Sequence, residues 1–227
     1  MPSFERHTKA ARDRIGIEPE VLVMAGWTGR DPAAVEAHKR ELAELGVAPP
    51  SAVPMFYRME PGLLTTASRI QVLGSDTSGE VEAVLVALAD GLWVGLGSDH
   101  TDRKFEAVSL PLSKQLCRKV MAGELWRFDE VAGHWDDLHL RAWIEEDGER
   151  VLYQDGALGT VRRPGDLIRS FASGADRLPP MTLMFMGALN AIGPVRPSAR
   201  FEMELSDPVL GRTIGHAYDV DVLPLAS

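Results

Sequence analysis

The segment EVEAVLVAL, residues 80–88, constrains this chain more than any other. Its valines and leucines, entered through the turn-forming pair Ser78-Gly79, read as a β-strand. Alternate residues of a strand share a face, so Glu80 and Glu82 point to the same side as Val84, Val86 and Leu88. Two carboxylates roughly 7 Å apart therefore enter an apolar face. Unpaired there, they would cost several kcal/mol or keep a proton. Either the start of the strand lies in water, or a cation lies between the two side chains.

The rest of the chain from about residue 68 has the same texture. RIQVL and GLWVGLG are short β-rich runs separated by Gly, Asp and Ser. LHLRAWIEEDGERVLYQ reads as a hairpin turning at Asp147-Gly148, with Leu138, Leu140, Ala142 and Ile144 on one face. MTLMFMG, RFEMEL and RTIGHAYDVDV complete the strands, and RPGDLIRSFAS is a short helix. Upstream, residues 15–25 read as one strand. RDPAAVEAHKRELAELG follows as a helix capped by Asp31, opened by Pro32 and stopped by Gly46. The pattern predicts an α+β fold dominated by mixed sheets, a single unit over 1–227. Within it, residues 1–60 form an N-terminal strand and helix region and 61–227 the β-rich core.

GLWVGLGS follows the Glu strand in the chain and is expected beside it. It ends in Asp99, which makes an all-oxygen set with Glu80 and Glu82 suited to Mg²⁺, Mn²⁺ or Ca²⁺. On the helix, Val35, Leu42 and Leu45 form an apolar stripe that contains His38, with Glu41 one turn on. This is either a buried histidine satisfied by its neighbour or a general base oriented by a carboxylate. Lys114 is either a solvated cation or a partner for a substrate anion. His100 lies behind the acidic set or on an exposed loop. Asp102 and Arg103 pair with each other or with the sheet edge. His134, His139 and His216 lack ligand spacing, Trp126, Trp135 and Trp143 read as core, and Cys117 reads as a small buried residue.

Glu80-Val81-Glu82, followed after a strand by Asp99-His100-Thr101-Asp102-Arg103, resembles the metal site of the fumarylacetoacetate hydrolase superfamily, in a divergent bacterial branch. The resemblance implies that Glu80, Glu82 and Asp99 hold the metal. It extends to His38-Lys39-Arg40-Glu41 on a lid helix, and to PSAVPMFYR, where Arg58 replaces the family's lysine. It also takes in SKQLCRK, with Lys114 kept but Arg118 in place of a proline. The family's Gly-Thr-Pro turn is matched by Gly187 followed by Ala188, where threonine is expected.

The resemblance implies a distorted mixed β-roll, usually a homodimer. It also implies a metal-dependent hydrolase that cleaves a carbon–carbon bond of a 2-oxo or 1,3-diketo acid through a metal-stabilised enolate. His38, oriented by Glu41, would activate water. Lys114, Arg58, Arg103 and the Gly187–Ala188 turn would meet the substrate. Decarboxylation, tautomerisation or hydration would use the same electron sink, and a non-catalytic metal or small-acid binding protein is the alternative of another class.

Composition excludes other classes. The formal net charge is −9 and no Lys/Arg run exceeds two, which argues against nucleic acid. The most apolar stretch, MTLMFMGALNAIGPV, is too short and interrupted to span a bilayer. MPSFERHTKAARDR has no apolar core of a signal peptide, and the single cysteine suits a reducing compartment, so a cytoplasmic location is expected.

Overall fold

The computed structural model describes residues 1–44 and 50–224, the side chains of 34, 38 and 41–44 excepted. In chain order the first strands are β1 (Ser3–His7), β2 (Arg12–Gly16) and β3 (Val21–Gly26), followed by helix α1 (Pro32–Glu44). Next come β4 (Met55–Met59), β5 (Leu64–Thr65), β6 (Arg69–Leu73), β7 (Thr77–Ser78), β8 (Val81–Leu88), β9 (Gly91–Asp99) and β10 (Thr101–Asp102). Two short helices, α2 (Arg103–Glu106) and α3 (Leu110–Gln115), lead to β11 (Lys119–Arg127) and α4 (Phe128–Val131). The chain then forms β12 (His139–Glu146), β13 (Glu149–Ala157), α5 (Pro164–Phe171), β14 (Thr182–Phe185), β15 (Arg200–Asp207) and β16 (Arg212–Leu223).

The strands make two mixed sheets and a ribbon. The larger sheet runs β2-β1-β11-β9-β8-β14-β3-β4, with β5 also paired to β11. The smaller runs β13-β12-β15-β16-β6, and β7 pairs with β10. The architecture is α+β, as the strand pattern implied. β8 is buried along its whole length. Its odd-numbered residues, with Leu140, Ala142, Phe201 and Tyr218 of the smaller sheet, form the core between the sheets. Its even-numbered residues Val84, Val86 and Leu88 join a second core with Phe4, Met24, Tyr57, Leu125 and Phe185, all from the larger sheet or its connections. Connections and α3 also pack on this face, through Ile17, Leu63 and Leu110, so the larger sheet carries a core on each side. Mixed sheets with this double core accord with the β-roll the resemblance implied.

Several local expectations hold for stated reasons. Asp31 Oδ1 accepts the Ala33 N–H at 2.9 Å, and Pro32 opens α1. Asp147 and Gly148 both have positive φ, 51° and 81°, as the tight turn of a two-residue hairpin requires. Other expectations change. The single strand over 15–25 is two strands separated by residues 17–20. The helix stop at Gly46 lies outside the described residues. Trp126 and Trp135 are buried as expected, but Trp143 is only half-buried, with the Arg150 guanidinium stacked 3.7 Å from its ring centre. Among the described residues no helix is long and apolar enough to cross a membrane.

Candidate metal centre

Glu82 opposes Gly97 across β8 and β9, and Asp99 follows two residues later on the same face. The Asp99 N–H donates to the Glu80 carbonyl at 3.0 Å, which closes the pairing just ahead of β8. The three side chains converge: one oxygen from each of Glu80, Glu82 and Asp99 lies within 4.8 Å of the others. Such spacing can be spanned by a divalent cation with oxygen ligands at about 2.0–2.6 Å. Glu82 and Asp99 are 2% and 1% exposed, whereas Glu80 is half-buried, so the cluster opens on the Glu80 side.

Three cations surround this acidic set. Lys114, from α3, donates to Asp99 Oδ2 and lies 3.5 Å from Glu80 Oε2. Lys119 begins β11 directly opposite Asp99 and donates to Asp99 Oδ1 and to the His100 carbonyl, both at 2.6 Å. Arg103 Nη2 lies 3.1 Å from Glu80 Oε1, while its Nε donates to Ser78 Oγ at 2.7 Å. Burial works against the charge of Asp99, but Lys114 and Lys119 outweigh it and hold the carboxyl below its usual value. Burial likewise opposes the charge of Glu80, and Arg103 and Lys114 prevail. Glu82 goes the other way. Burial and the adjacent Asp99 charge push its carboxyl well above the usual range. A carboxyl that burial and like charge drive toward its neutral form is the group a cation would convert to a ligand, so the donor set fits a hard divalent ion.

The surroundings fix the carboxylates from behind. Glu82 Oε2 accepts the Gly187 N–H at 2.7 Å. The Glu80 N–H donates to Ser98 Oγ at 3.2 Å, and Ser98 Oγ meets Tyr218 Oη at 2.8 Å. His100 is buried, not on an exposed loop, between Tyr218 Oη at 3.0 Å and Thr77 Oγ1 at 2.9 Å. Burial and the Lys119 charge push its imidazole down to about 3, so it is neutral. Asp102 caps α2 through the Phe105 N–H instead of pairing with Arg103.

The remaining expected site residues divide. Gly187 lies beside Glu82, on the segment that leaves β14, and Ala188 is the next residue of that segment. Arg58 is not brought to the cluster. It opposes Val23, which opposes Met184 and through it Leu85, the face of the larger sheet turned away from Glu82. Its neighbour Tyr57, through Met24 and Phe185, shares a face with Val84 and hence with Glu82. Strand parity thus exchanges the exposed Arg58 for the buried Tyr57. The side chains of His38 and Glu41 lie outside the described residues. Sequence reasoning did not find Lys119. Its only local signal is a lysine opening an apolar β-run, KVMA.

Comparison with known proteins agrees with this architecture. No curated protein matches the chain significantly in sequence. A 2-keto-3-deoxy-D-arabinonate dehydratase solved with magnesium and 2,5-dioxopentanoate superposes with a TM-score of 0.64 at 19% identity, over 92% of this chain and 75% of that one. A yeast fumarylacetoacetate hydrolase family protein gives 0.64 at 15% identity, over 92% and 96% of the two chains. Maleylpyruvate hydrolase from Sphingobium sp. SYK-6 gives 0.63 at 12%, over 94% and 76%. At these identities the likeness is one of fold. The family described as protein of unknown function (DUF2848) matches residues 25–218. The chain therefore belongs to the DUF2848 family, a divergent branch with the fold of the fumarylacetoacetate hydrolase superfamily.

Proposed function

We propose that this protein is a divalent-metal-dependent hydrolase that cleaves a carbon–carbon bond in a 2-oxo or 1,3-diketo acid of the acylpyruvate type. The observation that carries the reading is the convergence of Glu80, Glu82 and Asp99, with Lys114 and Arg103 beside the open, Glu80 side. Bound there, Mg²⁺ or Mn²⁺ would chelate the oxo-acid oxygens, polarise the carbonyl and stabilise the departing enolate. Lys114 and Arg103 supply positive charge toward carboxylate or enolate oxygens. The Gly187–Ala188 turn borders the substrate next to Glu82. His38, oriented by Glu41, takes a proton from the attacking water as α1 closes over the site. The water oxygen joins the acyl carbon, the bond to the neighbouring methylene breaks, and the enolate takes up a proton. Arg58 has no part in this scheme, because it faces away from the carboxylates. The same reading takes the chain as one catalytic unit in a cytoplasmic homodimer.

The likeness to a dehydratase supports a second reaction on a related 2-oxo acid, loss of water through the same enolate. Incubating Mg²⁺- or Mn²⁺-loaded protein with a panel of acylpyruvates and hydroxylated 2-oxo acids, followed by mass spectrometry, separates the possibilities. Two acids mean cleavage, loss of water means dehydration, loss of CO₂ means decarboxylation, and unchanged mass with a faster change in enol ultraviolet absorbance than in buffer means tautomerisation. A metal-loaded protein inert toward the whole panel would show a binding protein instead.

A further inference from the structure

We infer that Gln154 is a positioning residue, one that holds the Gly187–Leu189 turn at a fixed reach from the carboxylate-bearing strand. The inference rests on the functional reading above.

The physical basis begins with a bulge. In the β12–β13 hairpin, Ala142 opposes Gln154 but the next residue, Trp143, opposes Leu152. Tyr153 is therefore the extra residue. A one-residue bulge lets two consecutive side chains face the same way and re-aims the strand. Tyr153 and Gln154 are accordingly both buried, at 1% and 2% exposure. Strict alternation from Val151 would have turned Gln154 to solvent.

Directed inward, the Gln154 amide uses both ends. Its Oε1 accepts the Val81 N–H at 2.9 Å, at the residue between Glu80 and Glu82. Its Nε2 donates to the Leu189 carbonyl at 2.6 Å. One side chain of the smaller sheet thus joins the metal-bearing strand to the turn that borders the substrate. The rest of β13 grips the same turn. Leu189 packs over Gly156, where an added Cβ would lie 3.2 Å from its Cδ1. Gln154 forms a bridge with Ala191, and the Ile192 N–H donates to the Tyr153 carbonyl at 2.7 Å. Gly187, at the other end of the turn, is bonded to Glu82. The turn is therefore held at both ends, and Gln154 is the link that runs to the backbone between the two glutamates.

A glutamine amide performs both tasks at once, accepting at one end and donating at the other with no change of protonation state. Gln154→Met keeps the length and removes both bonds. Gln154→Ala removes both bonds and shortens the side chain. Two measurements test the inference: amide hydrogen exchange across residues 187–191, and the affinity of Mn²⁺-loaded protein for oxalate beside its affinity for Mn²⁺. Exchange in the turn should rise in both variants relative to the β15–β16 hairpin. Oxalate binding should weaken about tenfold, the effect of one neutral hydrogen bond, with a clearly smaller change in Mn²⁺ affinity. Folded variants with unchanged exchange in the turn would overturn the link. Faster exchange with wild-type oxalate affinity would overturn the positioning role. If Gln154→Met does not fold, Gln154→Ala decides both points. Wild-type protein that binds neither Mn²⁺ nor oxalate would sink the functional reading, and the exchange measurement would still decide the link.

Discussion

Glu82 Oε2 accepts the Gly187 N–H at 2.7 Å, so the strand bearing the metal candidates is bonded directly to the turn after β14. Gly187 reaches this position with φ at +100°, and an added Cβ would lie 1.9 Å from Thr28 Oγ1. Gly187→Ala combines left-handed strain, about 1–3 kcal/mol, with that overlap. Its melting temperature should fall by roughly 2–12 °C from the strain alone, given about 2–4 °C per kcal/mol at this chain length. Its Mn²⁺ affinity should fall too, because a chain shifted away from Thr28 carries the residue-187 N–H away from Glu82. Thermal denaturation and Mn²⁺ titration check the pair, and an unchanged melting temperature would place the turn elsewhere.

Removal and addition of the ion give a second expectation. A ligand that binds only the folded state stabilises it by about 2.7 kcal/mol at a hundred times its dissociation constant. Mg²⁺ or Mn²⁺ should therefore raise the wild-type melting temperature by about 5–10 °C. Glu82→Ala should show no such rise, since it removes the buried carboxylate that burial and Asp99 drive toward its neutral form. Equal responses from the two proteins would refute a three-carboxylate site.

Much of this arrangement was readable before the structure. The shared face of Glu80, Glu82, Val84, Val86 and Leu88 follows from a period of two, which burial of one face enforces. The Asp147-Gly148 turn and the Asp31-Pro32 helix start carry their own local chemistry. Strands β1 and β2 did not announce themselves. SFERH and RDRIG have almost no apolar alternation, and β2, at an edge of its sheet, is largely exposed. Gln154 was invisible because a bulge breaks the alternation a sequence displays, and its bond to Val81 spans 73 residues. Arg58 was misplaced for a related reason. The motif supplied its position in the chain, while the face it occupies depends on the register of β4 against β3.

The buried thiol gives a pH dependence. Burial pushes Cys117 up to about 11 from 9.0, and the nearby Lys119 charge only partly offsets this. Between those values the folded chain keeps a proton that the unfolded chain releases. This contribution to stability is therefore complete below pH 9 and is lost as pH rises toward 11. Since the thiolate is the reactive form, iodoacetamide at pH 8 should label native protein far more slowly than protein in denaturant. Equal labelling rates would mean that Cys117 is open to solvent.

Lys114 and Lys119 both bond Asp99, yet their removal should have different consequences. Lys119 is fully buried, opposes Asp99 across paired strands and also serves the His100 carbonyl. Lys119→Met leaves a buried carboxylate short of a partner and the carbonyl unmet, a loss of about 3–5 kcal/mol for a broken buried pair. Lys114 reaches Asp99 from α3 and lies beside the half-buried Glu80, which retains Arg103 when Lys114 is gone. Lys114→Met should cost less, about 1.5–3 kcal/mol, the value of a hydrogen bond to a charged group. Its larger effect should fall on ligand binding, with oxalate affinity of the Mn²⁺-loaded protein down about tenfold or more as a charged partner is lost. Lys119→Met protein that remains folded should bind oxalate nearly as the wild type does. Urea denaturation and oxalate titration of both variants decide it. The reverse order, with Lys119→Met the weaker binder and Lys114→Met the less stable protein, would exchange the roles of the two lysines.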